Sequence, residues 1–203
     1  MNFEFDNIEI DIDQDEEGNL YSNESILKGI LHNTRFDGGY GEGGHIGKGI
    51  RAEVIKSLGF SDHPTKDECW SKMKTFELEA YPGYKVTLHK DLVSEVQNIY
   101  KELKELGVTL NKYQGHYCYR TINNPNHPGS KVLSMHSFGC AIDLNYNLNP
   151  FVKNAKPKDN GDDTVHGIVR TLDSPIVKVF AKYGWGWGGK YGDYMHFSKA
   201  NGA

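Results

Sequence analysis

Apolar positions recur at helical spacing in a few stretches of this chain and give way to short, glycine-punctuated runs elsewhere. KVTLHKDLVSEVQNIYKELKELGV, 85–108, begins with a short extended piece and continues as an amphipathic helix. Leu92, Val96, Ile99, Leu103 and Leu106 mark its buried face, and Gly107 ends it. IGKGIRAEVIKSLGF, 46–60, places Ile50, Val54, Ile55 and Leu58 at helical spacing before a stop at Gly59. SNESILKGILHN, 22–33, opens with capping residues and carries an apolar stripe, so it too reads as helix. TKDECWSKM, 65–73, has Thr65 followed three residues later by Glu68, the pattern of a capping box. DSPIVKVFAKYG, 173–184, has Pro175 near the first helical position and Gly184 past the end.

Between residues 108 and 172 the texture changes. QGHYCYRTIN and SMHSFGCAIDLNYN read as short strands and turns, and 147–168 as a long polar surface loop. The first 20 residues read as an acidic edge strand or loose arm. Helices on one side and short strands on the other predict an α+β class. No internal repeat and no long linker divides the chain. Residues 1–80 are expected to form a mostly helical N-terminal extension packed on a catalytic domain spanning 81–203.

The totals narrow the function. With 203 residues the chain can bury a real core. The formal net charge is −4 and no basic run occurs, which argues against nucleic acid as a partner. No stretch approaches the roughly 18 apolar residues of a membrane span. The acidic start lacks the basic and apolar regions of a signal peptide, so synthesis in the cytoplasm is expected. Cys69, Cys118 and Cys140 are an odd number without a CxxC pair, so a disulfide framework is not expected. A monomer is expected.

Two tempting loops fail on their spacing. DIDQDEEG has its glycine in the wrong place for a calcium loop, and no glutamate follows at the twelfth position. DGGYGEGGHIGKG has Glu42 where a phosphate loop needs its first glycine, and Gly49 where it needs Ser or Thr.

The candidate chemistry lies in SMHSFGCAIDLN, 134–145, and DYMHF, 193–197. His136 and Asp143 can be brought together by extended segments meeting at a tight turn at Gly139. His196, on an extended YMHF, can supply a third ligand, and two His with one carboxylate is a known catalytic zinc set. Asp193, three residues before His196, is placed to take a proton from an attacking water without being a ligand. Arg120 can bind an oxyanion or a substrate carboxylate. Taken singly, each has a plainer reading: a buried hydrogen-bonding histidine, a turn-capping aspartate, a salt-bridging arginine.

Together these motifs resemble a known family. SMHSFGCAIDLN is similar to the S-x-H-x-x-G-x-A-x-D signature of the M15 zinc metallopeptidases, the D-Ala-D-Ala carboxypeptidases and L-alanyl-D-glutamate endopeptidases. GWGWGGKYGDYMHF resembles the second signature, a Trp-Gly-Gly element followed by Asp-x-x-His, and Arg120 matches the family's arginine. NPFV, 149–152, resembles the endopeptidase branch found in phage endolysins. The resemblance covers about residues 85–198 and implies a small antiparallel sheet carrying the zinc site with flanking helices, hedgehog/D-Ala-D-Ala-peptidase-like. It implies His136, Asp143 and His196 as Zn2+ ligands, Asp193 as base, Arg120 as the stabiliser of substrate or transition state, and Ser134 as a supporting hydrogen bonder. The implied substrate is a peptidoglycan stem peptide, cut as by an L-alanyl-D-glutamate endopeptidase of the endolysin type, acting on the wall after release. Tyr191 stands where many relatives have tryptophan, and the second element is compact, so a substrate wall is reshaped.

Three other readings stay open on sequence. One is a D-alanyl-D-alanine carboxypeptidase. Another is a zinc-containing wall-binding module without catalysis, against which Asp193 argues. The last is a cysteine hydrolase using Cys118 or Cys140; Cys140 reads better as a small buried residue inside the signature. Among the remaining histidines, His116 is the one near the site, on the segment leading to Arg120.

Overall fold

The computed structural model describes residues 12–14, 20–22, 44–122, 131–152 and 161–200. Of the expected helix over 22–33, Ser22 instead ends a strand and the rest lies outside them, as do the phosphate-loop-like glycine run before Gly44 and the middle of the polar loop.

Strands β1 (Ile12–Gln14) and β2 (Leu20–Ser22) pair antiparallel within the acidic N-terminal stretch. Helix α1 (Gly49–Ser57) follows, then α2 (Lys66–Ser71). Strands β3 (Met73–Glu77) and β4 (Lys85–His89) form an antiparallel hairpin in which Met73 faces His89 and Glu77 faces Lys85. This hairpin crosses the boundary expected near residue 80. The long amphipathic helix is α3 (Val93–Glu105), and α4 (Pro175–Lys182) packs beside it. Strands β5 (Ala141–Asp143), β6 (Gly186–Trp187) and β7 (His196–Ser198) make a three-stranded antiparallel sheet with β7 in the middle. Helices beside small antiparallel sheets make the protein α+β. No helix among the described residues is long and apolar enough to cross a membrane.

The reasons are local and mostly as the pattern predicts. In α3 the buried residues are Val96, Ile99, Tyr100 and Leu103, with Leu92 buried in the turn just before. Leu106, expected on that face, is 39% exposed, because the helix has ended and Gly107 takes φ +78. Pro175 opens α4, where its missing N–H is no loss. Thr65 accepts the Glu68 N–H at 3.1 Å, half of the capping box. The Glu68 carboxylate turns instead to Ser61, taking its N–H and hydroxyl at 2.8 Å each.

Helix α1 departs from its pattern. Ile55 is buried, while Ile50, Val54 and Leu58 are only partly so, and the second buried residue is Arg51. Its Nε donates to the Ile46 carbonyl at 3.0 Å and its Nη2 to the Leu133 carbonyl. Burial pushes its pKa down to about 10. Arg51 thus ties α1 to the segment that leads into His136.

The core lies between α3, α4 and the back of the three-stranded sheet. Phe180 of α4 stacks on Phe197 of β7 with ring centroids 3.9 Å apart. Polar ties close the rim of this layer. Trp185 donates to the Glu95 carboxylate at 2.6 Å, and Lys182 pairs with Glu102 at 2.7 Å. With one face of the sheet buried this way, the opposite face is left for polar residues.

Candidate metal centre

Strand register brings the first two site residues together. Asp143 and His196 are directly opposed across β5 and β7, so their side chains share a face. His196 Nδ1 lies 3.0 Å from Asp143 Oδ1. His136 comes from elsewhere. It lies in a tight 3-10 turn, Met135–Phe138, rather than on the extended segment expected from sequence. Ser134 caps that turn by accepting the His136 N–H at 3.3 Å. Gly139 ends the turn at φ +61, and a Cβ there would meet the His89 nitrogen at 2.5 Å, so glycine is required twice over.

The turn delivers His136 Nε2 to 3.1 Å from Asp143 Oδ1 and 3.2 Å from His196 Nδ1. His136 Nδ1 donates to the His116 carbonyl at 2.6 Å, which leaves Nε2 as the free lone pair facing the cluster. Two ligands at ~2.0–2.1 Å from a tetrahedral zinc stand ~3.3 Å apart. Three donors separated by 3.0–3.2 Å therefore fit the ligand edges of such an ion. Burial alone would raise the Asp143 pKa. The hydrogen bonds and charge of His136 and His196 win and hold it well below the usual carboxylate range. An ionised carboxylate between two imidazoles is a donor set for a divalent cation.

Two glycines make room. Gly115 exchanges both main-chain hydrogen bonds with Asp143 at 2.8 Å, and a Cβ on it would lie 2.8 Å from the Asp143 Cβ and Oδ2. A Cβ on Gly188 would lie 2.9 Å from the Asp193 carbonyl oxygen and 3.2 Å from the His196 Cβ.

Asp193 stands next to the cluster without joining it. Its N–H donates to the Gly188 carbonyl at 3.1 Å, its carbonyl accepts the His196 N–H at 3.3 Å, and Phe151 bridges it across the backbone. Its Oδ1 is buried and has no hydrogen-bond partner among the described residues. Burial raises its pKa, helped by Asp143 and opposed by His196, His136 and Arg120. Arg120 is exposed at the edge of the same field, with its backbone fastened to the His136 turn through Ser137. Asn149, from NPFV, is fully buried and donates to the Leu144 and Gly167 carbonyls at 2.9 and 2.8 Å, so it holds the loop after β5. Tyr191 is exposed, as are Phe151 and Val152.

The cysteines are all free. Cys140 is buried and its thiol is pushed up to about 12 by burial, and Cys118 is exposed. Sequence reasoning pointed to His116 but not to its contact, which is made by its main chain. Gly115, Ser137 and Arg51 were not foreseen.

A family model described as D-alanyl-D-alanine carboxypeptidase matches residues 128–199. The matched part of the chain, which carries His136, Asp143, Asp193 and His196, is thus similar to the M15 peptidases. Searches of curated proteins and of solved structures give no match.

Proposed function

We propose that this protein is a zinc-dependent peptidase that hydrolyses peptidoglycan stem peptides, as an L-alanyl-D-glutamate endopeptidase of the phage endolysin type. It would be made in the cytoplasm and act on the wall after release. The observation that carries the reading is the His136–Asp143–His196 cluster, with the buried, unpartnered Asp193 oxygen beside it, inside an M15 match. NPFV supports the endolysin branch by resemblance alone.

His136, Asp143 and His196 would hold the zinc. When bound, the ion supplies a Lewis acid that polarises the scissile carbonyl and acidifies water. Asp193 takes the proton from the attacking water and returns it to the leaving amine. Its burial suits this exchange, because a carboxylate starved of solvent is a stronger base. Arg120 is exposed, and its side chain makes one long bond, from Nη1 to the Thr121 carbonyl at 3.4 Å, which it can give up to reach the developing oxyanion or a substrate carboxylate.

A D-alanyl-D-alanine carboxypeptidase is the second reading, and the description of the matching family model favours it. Mass spectrometry of purified muropeptides, incubated with the protein with and without a chelator, tests both. A chelator-sensitive cut between L-Ala and D-Glu is expected. Loss of a terminal D-Ala instead would establish the carboxypeptidase. No cleavage by zinc-loaded protein would overturn the hydrolytic reading for this substrate.

A further inference from the structure

Next to the ligand cluster lies an open cleft of about 470 Å³ that the proposed hydrolytic steps do not use. One wall is the tip of the β3–β4 hairpin, with Tyr84, Lys85 and Val86; the other carries Lys112, Gln114 and His116. Hydrogen bonds fix the walls to each other. The Tyr84 hydroxyl donates to the Leu110 carbonyl at 2.6 Å, and the Tyr117 N–H donates to the Thr87 carbonyl at 3.1 Å. Gln114 is braced to the Asn111 carbonyl at 2.9 Å.

The charge in this cleft is of one sign. Lys85 and Lys112 are exposed, neither has an ion-pair partner among the described residues, and no carboxylate lines the cleft. Glu77, opposite Lys85 in the hairpin, has its Oε1 engaged by the Gly83 N–H at 2.8 Å. Two ammonium groups lining one cleft without a carboxylate in its lining stand out on a chain of net charge −4.

The cleft and the cluster share the segment around Gly115, which bridges to Asp143. His116 lines the cleft, and its carbonyl accepts from His136 Nδ1. Gly115, between Gln114 and His116, is bonded through its backbone to Asp143. A peptide whose amide reaches the cluster therefore has a cationic recess beside it.

We infer that this cleft is a second binding subsite, which takes a carboxylate-bearing flank of an acidic peptide through Lys85 and Lys112. The identity of the peptide rests on the peptidase reading; the preference for a carboxylate rests on the cleft alone. Binding energy gathered there would orient the amide at the cluster, a use of remote contacts that lowers KM first.

The test is isothermal titration calorimetry on zinc-loaded protein with two probes. One is L-Ala-γ-D-Glu-L-Lys, the other the same tripeptide with its carboxylates amidated. The unsubstituted protein should prefer the acidic peptide, and high salt should erode the preference. The double variant Lys85→Gln, Lys112→Gln should bind the acidic peptide roughly tenfold more weakly and lose the preference, while circular dichroism remains unchanged. Where cleavage is measurable, KM should rise with kcat unchanged. Equal binding of both peptides, binding of neither, or a double variant that binds the acidic peptide like the parent would overturn the subsite. Selective binding without cleavage would leave the subsite standing and sink the hydrolytic reading; cleavage without selectivity would do the reverse.

Discussion

Ser137 Oγ lies 2.9 Å from the Arg120 backbone nitrogen and 2.8 Å from the Arg120 carbonyl oxygen. It accepts from the first and donates to the second, with the Cys118 carbonyl also in reach at 3.2 Å. The residue after His136 thus clamps the segment that carries Arg120. The side chain is fully buried, so nothing else can replace these bonds. Ser137→Ala should leave the Arg120 N–H unpaired, with the Arg120 carbonyl held only by the Ser134 N–H at 2.8 Å, and destabilise the fold by about 1–3 kcal/mol. It should also lower kcat/KM by letting Arg120 drift, and Ser137→Thr should restore neither because the added methyl has no room. Denaturant unfolding and steady-state kinetics on the same preparations check both effects.

Gly115 presses on Asp143. Its φ is not in the left-handed region, so alanine is conformationally permitted there, and the penalty is steric alone. A Cβ 2.8 Å from the Asp143 Cβ and Oδ2 must displace the carboxylate from His136 and His196. Gly115→Ala is expected to weaken zinc affinity by about 10–100-fold, the range seen when the support of a ligand is disturbed. Competition against a chromogenic chelator measures this. Affinity unchanged from the parent would show that Asp143 is not held by this contact.

His89 predicts how stability varies with pH. It is buried at the end of β4, 5.5 Å from the Phe60 ring, and its Nδ1 accepts the Asp91 N–H. Burial lowers its pKa, against a weaker opposing pull from Asp91. A base with a depressed folded pKa binds its proton more readily when unfolded. Its contribution is therefore fully present above the unfolded pKa of about 6.5 and is lost as pH falls below it. Unfolding free energy measured from pH 8 downward should decline through that range. In His89→Gln the decline should be shallower, and an identical slope in the two proteins would exclude His89 as its source.

The His136, Asp143 and His196 cluster was legible in the sequence because its residues fall in short signatures whose spacing is local. Asp143 and His196 are far apart in the chain, yet each lies on a strand, and alternation places each on a face. What the sequence could not show is how the faces meet. His136 arrives on a tight turn rather than a strand, since Ser134 caps it and Gly139 closes it, and both read equally well as an ordinary turn. Gly115 and Ser137 act on backbone atoms across the fold, so no periodicity betrays them. Arg51 did leave a signal: it lies four residues before Ile55, on the face that α1 buries. A charged residue on a buried stripe implies carbonyl partners, here Ile46 and Leu133.

On the proposed reading, Asp193 separates holding the metal from performing the chemistry. Its Oδ1 is buried beside three donors that already contact one another, and it has no hydrogen-bond partner among the described residues. If it moves a proton rather than binding zinc, Asp193→Asn removes the base while keeping the shape. Zinc content should then match the parent, and KM should change little. The kcat should fall by about 10²–10⁴-fold, the usual contribution of a positioned general base. Asp143→Asn should behave differently, losing metal first and activity with it, because a neutral amide cannot replace the charge between two imidazoles. Measuring bound zinc by atomic emission alongside turnover distinguishes the two. Equal zinc loss in both variants would make Asp193 a ligand, whereas full activity in Asp193→Asn would require a different base.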